Sequence, residues 1–333
     1  MKEPSELTRL AERIALLEAR LTRAEQTTRN LQGLLDRQIR RSWRAKFEPK
    51  LWQFFQYPPR VLRPPSVYDE LTPPTNAPRI AIVTPTFNDA KYLQATIDSV
   101  LAQRYPNLTY LIQDGGSTDG TVELLKSYGS KIAWHSEQDT GQGNAINRGF
   151  GRISGEIMAY LNSDDILLPG TLAYVAHAFQ ADLSIDVVYA HRIFIDESGL
   201  ETGRCVLPPH DERTVKWADF IPQETLFWRR KVWEKVGPFD ENFHFALDWD
   251  FILRAQASGF RFKRLPRFLG CFRVHDEQKT TAMMEVGHNE QRHLRRIHLG
   301  RDPTGPEVDR AIRPYLRRHV LFHRLYKLKL LNY

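Results

Sequence analysis

The chain has 333 residues, is 41% hydrophobic and carries a formal net charge of +7. That is enough apolar material for one large α/β core. It contains no run of about 18 apolar residues, which excludes a transmembrane helix, and its charged start MKEPSELTRL lacks the apolar core of a signal peptide. Cys205 and Cys271 are the only cysteines, so no disulfide framework is expected and a reducing cytoplasm is the simplest home.

Residues 1–45 form the first predicted element. Leu7, Leu10, Ile14, Leu17, Leu21, Ala24, Thr28, Leu31, Leu35 and Gln38 alternate by three and four residues, the a/d register of a coiled coil. In this register Arg13 and Glu18, like Arg20 and Glu25, can pair between parallel chains, so the segment is expected to be a stalk that makes a homodimer. The competing readings are a helix folded back on its own domain or bound to another protein. Residues 46–78 follow as a linker; seven prolines between Tyr57 and Arg79 predict an extended, semi-rigid spacer.

From residue 79 the pattern alternates strand and helix, which predicts a mostly parallel sheet flanked by helices. RIAIVTPTFN (Arg79 to Asn88) is a buried strand opening into a polar loop, followed by a helix carrying Leu93, Ile97, Val100 and Leu101. LTYLIQD repeats the plan: Asp114 ends the strand, GGSTDGT makes the loop, and Ser117, Thr118 and Asp119 stand where a helix cap is needed. SEQDTGQGNAINRG packs Gly141, Gly143, Gln142, Asn144 and Asn147 around Asp139; glycine permits close backbone approach and amides read a polar ligand. IMAYLNSDD then ends a strand in Asn162, Ser163, Asp164 and Asp165, before Pro169, which suits the first turn of the next helix. Paired acids where a strand surfaces can hold a divalent cation, although Asn, Ser and Asp also make solvated turns. Likewise Asp119 can be a cap, and Asp114 can serve the turn of its two glycines. Ligands of open α/β sheets bind outside the carboxyl ends of strands, so Thr84, Asp114 and Asp165 should converge on one crevice. Neither GxxxxGK[ST] nor GxGxxG is present, which removes the common phosphate loops.

VTPTFN, QDGGSTDGT, SEQDTGQGNAINRG and LNSDD, in this order and at this spacing, resemble the inverting family-2 glycosyltransferases of the GT-A fold, over about Arg79 to Lys279. The resemblance implies a GT-A-like domain over residues 79–287 that binds a nucleotide-diphosphate-sugar with Mn2+ or Mg2+. Thr84, Pro85 and Thr86 would line the base pocket together with Asn88, Asp114 would accept from the base, and Asp164 would meet the ribose. Asp139, Gly141 and Asn147 complete the expected nucleotide-sugar site, and Asp165 would bind the metal. The family's commoner aspartate triplet is replaced here by Asn162 and Ser163. In FHFALDWDFILRAQASG, Asp248 matches the acid of the family's acid-aromatic-acid helix start, with Leu247 where Glu often stands. It is expected to be the base that takes the acceptor hydroxyl's proton. A helix N-cap is the plain alternative for Asp248, and Asp250 the competing carboxylate. Gln223 and Glu224 are placed at the acceptor or donor sugar, His275 as an imidazole ligand of the metal, and Arg273 and Lys279 beside the diphosphate.

The chain ends in a basic helical extension, residues 288–333. Lys and Arg outnumber Asp and Glu 14 to 9 before Arg79 and 11 to 4 after Gly287, while the stretch between holds 22 against 27. Tyr315, Leu316, Val320, Leu321, Leu325, Leu328, Leu330 and Leu331 interleave with this charge, a pattern that suits either a helix packed on the domain or a peripheral contact with the inner face of an anionic membrane, where a lipid-linked acceptor would be found. No nucleic-acid reading motif is present. The expected activity is metal-dependent, inverting transfer from a nucleotide-diphosphate-sugar, UDP before GDP or dTDP, to a hydroxyl of a glycan or lipid-linked glycan in polysaccharide biosynthesis. A nucleotidyltransferase is the alternative enzyme, disfavoured because no Gly-rich basic loop follows Val83. A coiled-coil scaffold with an inactive transferase-like domain is the non-enzyme alternative.

Overall fold

The computed structural model describes residues 52–275 and 284–333. The coiled-coil stalk and Lys279 lie outside the described residues. Chain order is β1 (Ile80–Thr86), α1 (Ala90–Leu101), β2 (Leu108–Asp114), α2 (Thr121–Ser127), β3 (Ala133–Ser136), α3 (Gln142–Arg152), β4 (Ile157–Tyr160), β5 (Ile166–Leu167), α4 (Thr171–Ala181), β6 (Val187–Ile195), β7 (Glu201–Cys205), β8 (Phe227–Arg229), α5 (Arg230–Val236), α6 (Leu247–Ala257), β9 (Phe262–Arg273), α7 (Met284–Leu299) and α8 (Gly305–Lys327). Strands β3-β2-β1-β4-β8-β6-β9-β5 form one sheet, with β7 added to β6. The first four strands pair in parallel, β8 runs antiparallel to both neighbours, and β6 and β9 are again parallel. This is the expected GT-A-like α/β architecture.

The run IAIVTPT is buried at every position because helices cover both faces of the sheet, which is why its apolar residues are continuous rather than alternating. Pairing of β1 with β4 stops at Val83 opposite Tyr160, whereas pairing with β2 runs on to Thr86 opposite Asp114. Pro85, which has no N–H to donate, lies in the part that only β2 accompanies. The strands therefore splay beyond Val83 and open a crevice at their carboxyl ends. The helix after LNSDD begins at Thr171 with Gly170 at its cap, so Pro169 precedes it rather than starting it.

The proline-rich segment differs from the free spacer expected. From Trp52 on it lies along the domain: Gln56 N–H donates to Thr202 O at 2.8 Å, and Arg60 and Glu201 exchange backbone hydrogen bonds at 3.0 and 2.7 Å. The edge of β7 offered unpaired backbone groups, and an extended chain satisfies them. At the other end, the boundary expected at residue 287 falls inside α7. Helix α8 buries Tyr315 and His319 against the domain, with the Tyr315 ring tilted against that of Phe220 at 4.2 Å.

Candidate functional site

A crevice of about 720 Å³ opens at the carboxyl ends of β1 and β4. Of the expected nucleotide-sugar residues it is lined by Pro85, Thr86, Asn88, Asp139, Gly141 and Asp164, and it also takes in Asp165, Gln223, Glu224, Asp248 and His275. Thr86 Oγ1 is buried without a hydrogen-bond partner among the described residues. Asn88, held at φ 51°, receives Thr118 N–H on its side-chain oxygen at 2.8 Å, which ties the first loop to the second. Asp139 accepts from Gly141 N–H at 2.8 Å, and a Cβ on Gly115 would stand 2.7 Å from its carboxylate, so only glycine lets the two loops meet there. Gly141 itself sits at φ 133°, a conformation that side chains resist.

Five expected residues point elsewhere. Thr84 is fully buried, its hydroxyl 3.1 Å from Tyr110 OH. Asp114 is fully buried too; it accepts from Gly116 N–H, Ser117 N–H and the hydroxyls of Ser117 and Ser136, so its carboxylate builds the turn. Asn147 bridges Phe239 and Glu241 and secures the loop ahead of α6. Asp250 is paired with Arg254 at 2.8 Å, one turn further along α6 and outside the crevice. Arg273, expected at the diphosphate, is buried and donates to the carbonyls of Asp164, Asp196 and Glu197. A short, buried guanidinium network of this kind fixes the loop bearing the acids and leaves the charge no path to a ligand.

The adjacent acids divide. Asp165 is buried, and Arg273 N–H donates to its Oδ1 at 3.1 Å, which joins the LNSDD turn to the end of β9. Burial, and then the neighbouring Asp164, push its carboxyl well above the usual carboxylate range. Asp164 is more exposed and stands 3.0 Å from His275 Nε2. Nearby Asp89 also lines the crevice; burial, opposed by a hydrogen bond from Ser163, raises its carboxyl to about 6. The sequence reading passed over Asp89, although it directly follows the loop residue Asn88.

At the far side, Asp248 is the second residue of α6, so the N-cap position belongs to Ala246. Glu290 of α7 ties down the segment ahead of the helix: its carboxylate accepts from the N–H groups of His244, Phe245 and Ala246 at 2.8, 2.9 and 2.8 Å. Asp248 accepts from Trp249 N–H at 2.8 Å and lines the crevice, where it faces Asp219. Burial, and then the Asp248 carboxylate, hold the Asp219 carboxyl well above its ordinary range. Asp219 and Glu290 were both missed, since neither belongs to a local motif. The floor is polar: Gln223 donates to Tyr160 O at 2.9 Å and accepts from Asn162 at 3.1 Å, and Asn162 in turn accepts from Gln142 at 2.6 Å. Glu224 is held in a two-point ion pair with buried Arg192.

Known proteins resemble this chain. An uncharacterised glycosyltransferase of Rickettsia typhi is 28% identical over 63% of this chain and 68% of its own length. One from Mycobacterium tuberculosis is 31% identical over 54% and 70%. Among solved structures, Staphylococcus aureus TarS 1-349 in complex with UDP superposes with a TM-score of 0.53 at 21% identity, over 77% of this chain and 75% of that one; the present chain spans 44% of the longer TarS chain. A mannosyltransferase from Pyrobaculum calidifontis in complex with GDP-Man and Mn2+ gives a TM-score of 0.52, over 80% and 74%. The sequence model of Glycosyl transferase family 2 matches residues 81–247, just over half of the chain, and covers β1, the four loops and Asp164 up to the start of α6: the chain belongs to glycosyl transferase family 2.

Proposed function

We propose that this protein transfers a sugar, with inversion, from a nucleotide-diphosphate-sugar to a hydroxyl of a glycan or lipid-linked glycan, with a divalent cation as cofactor. The observation that carries this reading is a single crevice with a carboxylate–imidazole pair, Asp164 and His275, on the nucleotide side and a carboxyl pair, Asp219 and Asp248, on the other. TarS with UDP and the mannosyltransferase with GDP-Man and Mn2+ support a donor of this class; UDP is the first candidate.

The nucleotide lies along Pro85 to Asp89 and Asp139 to Gly141, where the Thr86 hydroxyl offers a hydrogen bond. Asp164 and His275, 3.0 Å apart at the crevice, would hold the cation. Oxygen plus imidazole suits Mn2+ well and Mg2+ acceptably. When bound, the cation neutralises the charge that develops on the departing diphosphate. Asp248 takes the proton of the attacking hydroxyl. Asp219 stands beside it, its carboxyl pushed up by burial and then by the Asp248 carboxylate. Asp165 and Arg273 hold the acidic turn in register with β9. The basic, leucine-bearing outer face of α8 and the residues after it would bring the enzyme to a membrane-borne acceptor.

The test is product analysis with UDP-, GDP- and dTDP-sugars, with Mn2+, Mg2+ or chelator. Metal-dependent release of nucleoside diphosphate and formation of a glycosidic bond of opposite anomeric configuration are expected. Release of sugar 1-phosphate and nucleoside triphosphate when pyrophosphate is added instead, or activity unchanged by chelator, would reject the reading.

A further inference from the structure

One wall of the crevice is built from residues ahead of the family match. Trp52 and Phe54 line it, half-buried, although the match begins at residue 81. They are held in place. Thr202 Oγ1 donates to Phe54 O at 2.8 Å, and Gln56 Nε2 donates to Arg204 O at 2.9 Å. Phe54 stacks on Phe272 at 6.0 Å and 21° and meets Phe194 edge-on at 5.2 Å. Beneath them the Arg192 guanidinium lies 4.8 Å from the Trp52 ring and 4.7 Å from that of Phe272, pinned by buried Glu224. A cation between two aromatic faces, itself fixed by a two-point ion pair, makes this wall rigid.

Its place in the sheet assigns the ligand. The nucleotide side is built on β1, β2 and β4, whereas Arg192, Phe194 and Phe272 come from β6 and β9, beyond β8. The same crevice carries Asp219 and Asp248. We propose that Trp52 and Phe54 form the acceptor subsite, receiving the C–H face of a pyranose ring whose attacking hydroxyl is directed at Asp248. A pyranose has an apolar face and a polar rim. Aromatic faces, whose π-clouds attract C–H edges, match the first; the carboxyl and amide groups of Asp219, Asp248 and Gln223 match the second. A lipid chain would be poorly matched, because it would strip water from Asn162, Asp219, Gln223 and Asp248 in the same crevice and offer them no partner. The proposal rests on the transfer reading given above, and it adds which residues receive the acceptor sugar.

Saturation-transfer NMR on the full chain with UDP and Mn2+ provides the test, using as probes methyl hexopyranosides of gluco, galacto, manno and N-acetylgluco configuration and their β-linked disaccharides. At least one probe should receive saturation at its ring C–H protons. The signal should fall at least fivefold in Trp52→Ala and in Phe54→Leu and persist within twofold in Trp52→Phe, while calorimetric UDP affinity stays within twofold throughout. Equal signals in Trp52→Ala and the native chain would overturn the subsite, as would loss of UDP affinity together with the sugar signal in the variants. Native protein that binds UDP and none of the sugars would overturn it while leaving the transfer reading intact. Native protein that binds no UDP would overturn both. If Trp52→Ala fails to fold, Phe54→Leu against Trp52→Phe carries the same contrast.

Discussion

Asp164 and Asp165 are neighbours with different circumstances. The first stands against an imidazole at the crevice; the second is buried against the backbone of Arg273. Asp164→Ala should therefore reduce Mn2+-dependent UDP affinity at least tenfold, roughly the loss of one charged ligand interaction, with an unchanged melting temperature. Asp165→Ala should instead lower stability by about 1–3 kcal/mol, since it strands a buried N–H. Calorimetric titration beside chemical denaturation checks both, and a reversal of the two results would give the cation to Asp165. For Asp248, replacement by Asn keeps the shape and removes the proton acceptor. Turnover should fall by about a hundredfold or more with UDP affinity preserved; near-normal turnover would hand the role to Asp219.

At the scale of elements, α6 is aimed by α7. Glu290 accepts from three N–H groups of the segment that leads into α6. Glu290→Ala should cost about 1–3 kcal/mol of stability and also reduce turnover, because Asp248 rides on the first turn of the helix that this segment leads into. Urea denaturation combined with steady-state kinetics would show both effects; a stability loss with full turnover would mean the helix is placed by its apolar face alone. A second device is acid-sensitive. Burial depresses His210, on the domain face beneath α8, and His319 and His323, on α8, to about 4. Between pH 6.5 and 4 the unfolded chain then binds more protons than the folded one, so stability must fall as pH falls through that window, by about 2 kcal/mol at pH 5 for each of the two more buried histidines, His210 and His319, and by less for His323. Hydrogen exchange of α8 at pH 7.5 and 5.5, expressed as protection relative to the intrinsic amide rate at each pH, should show lower protection at pH 5.5, and His319→Leu should flatten the difference.

For the whole molecule, the ends carry the positive charge and the middle the acids. Among the described residues no helix is long and apolar enough to cross a membrane. Helix α8 turns Tyr315 and His319 inward, while Leu321, Leu328 and Leu330 remain exposed beside Arg317, Arg324, Lys327 and Lys329. Deleting the tail would uncover the Tyr315 side of the core, so point changes are the cleaner probe. Leu328→Ser with Leu330→Ser should weaken cosedimentation with anionic liposomes at low salt, and added salt should weaken it further. Equal binding by native and altered protein would reject this surface. Removal of residues 1–44 leaves every crevice residue and should lower the association state measured by light scattering, with donor hydrolysis unchanged.

Much was legible in the residues themselves. Continuous apolar runs ending in Thr, Asn and Asp fixed where strands stop, and parallel-sheet topology requires such ends to share one edge, so the crevice and its acids followed. The reading failed where a group's neighbour is distant in the chain. Asp114 and Asn147 looked like ligand contacts, but Ser136 and the Phe239–Glu241 loop occupy them; Arg273 looked free, but three carbonyls hold it. Asp219 and Glu290 carry no local signal, and Trp52 and Phe54 read as linker until pairing with β7 drew them in. Which polar group faces a ligand depends on what else satisfies it, and in a folded chain that partner is set by packing between elements rather than by spacing within one.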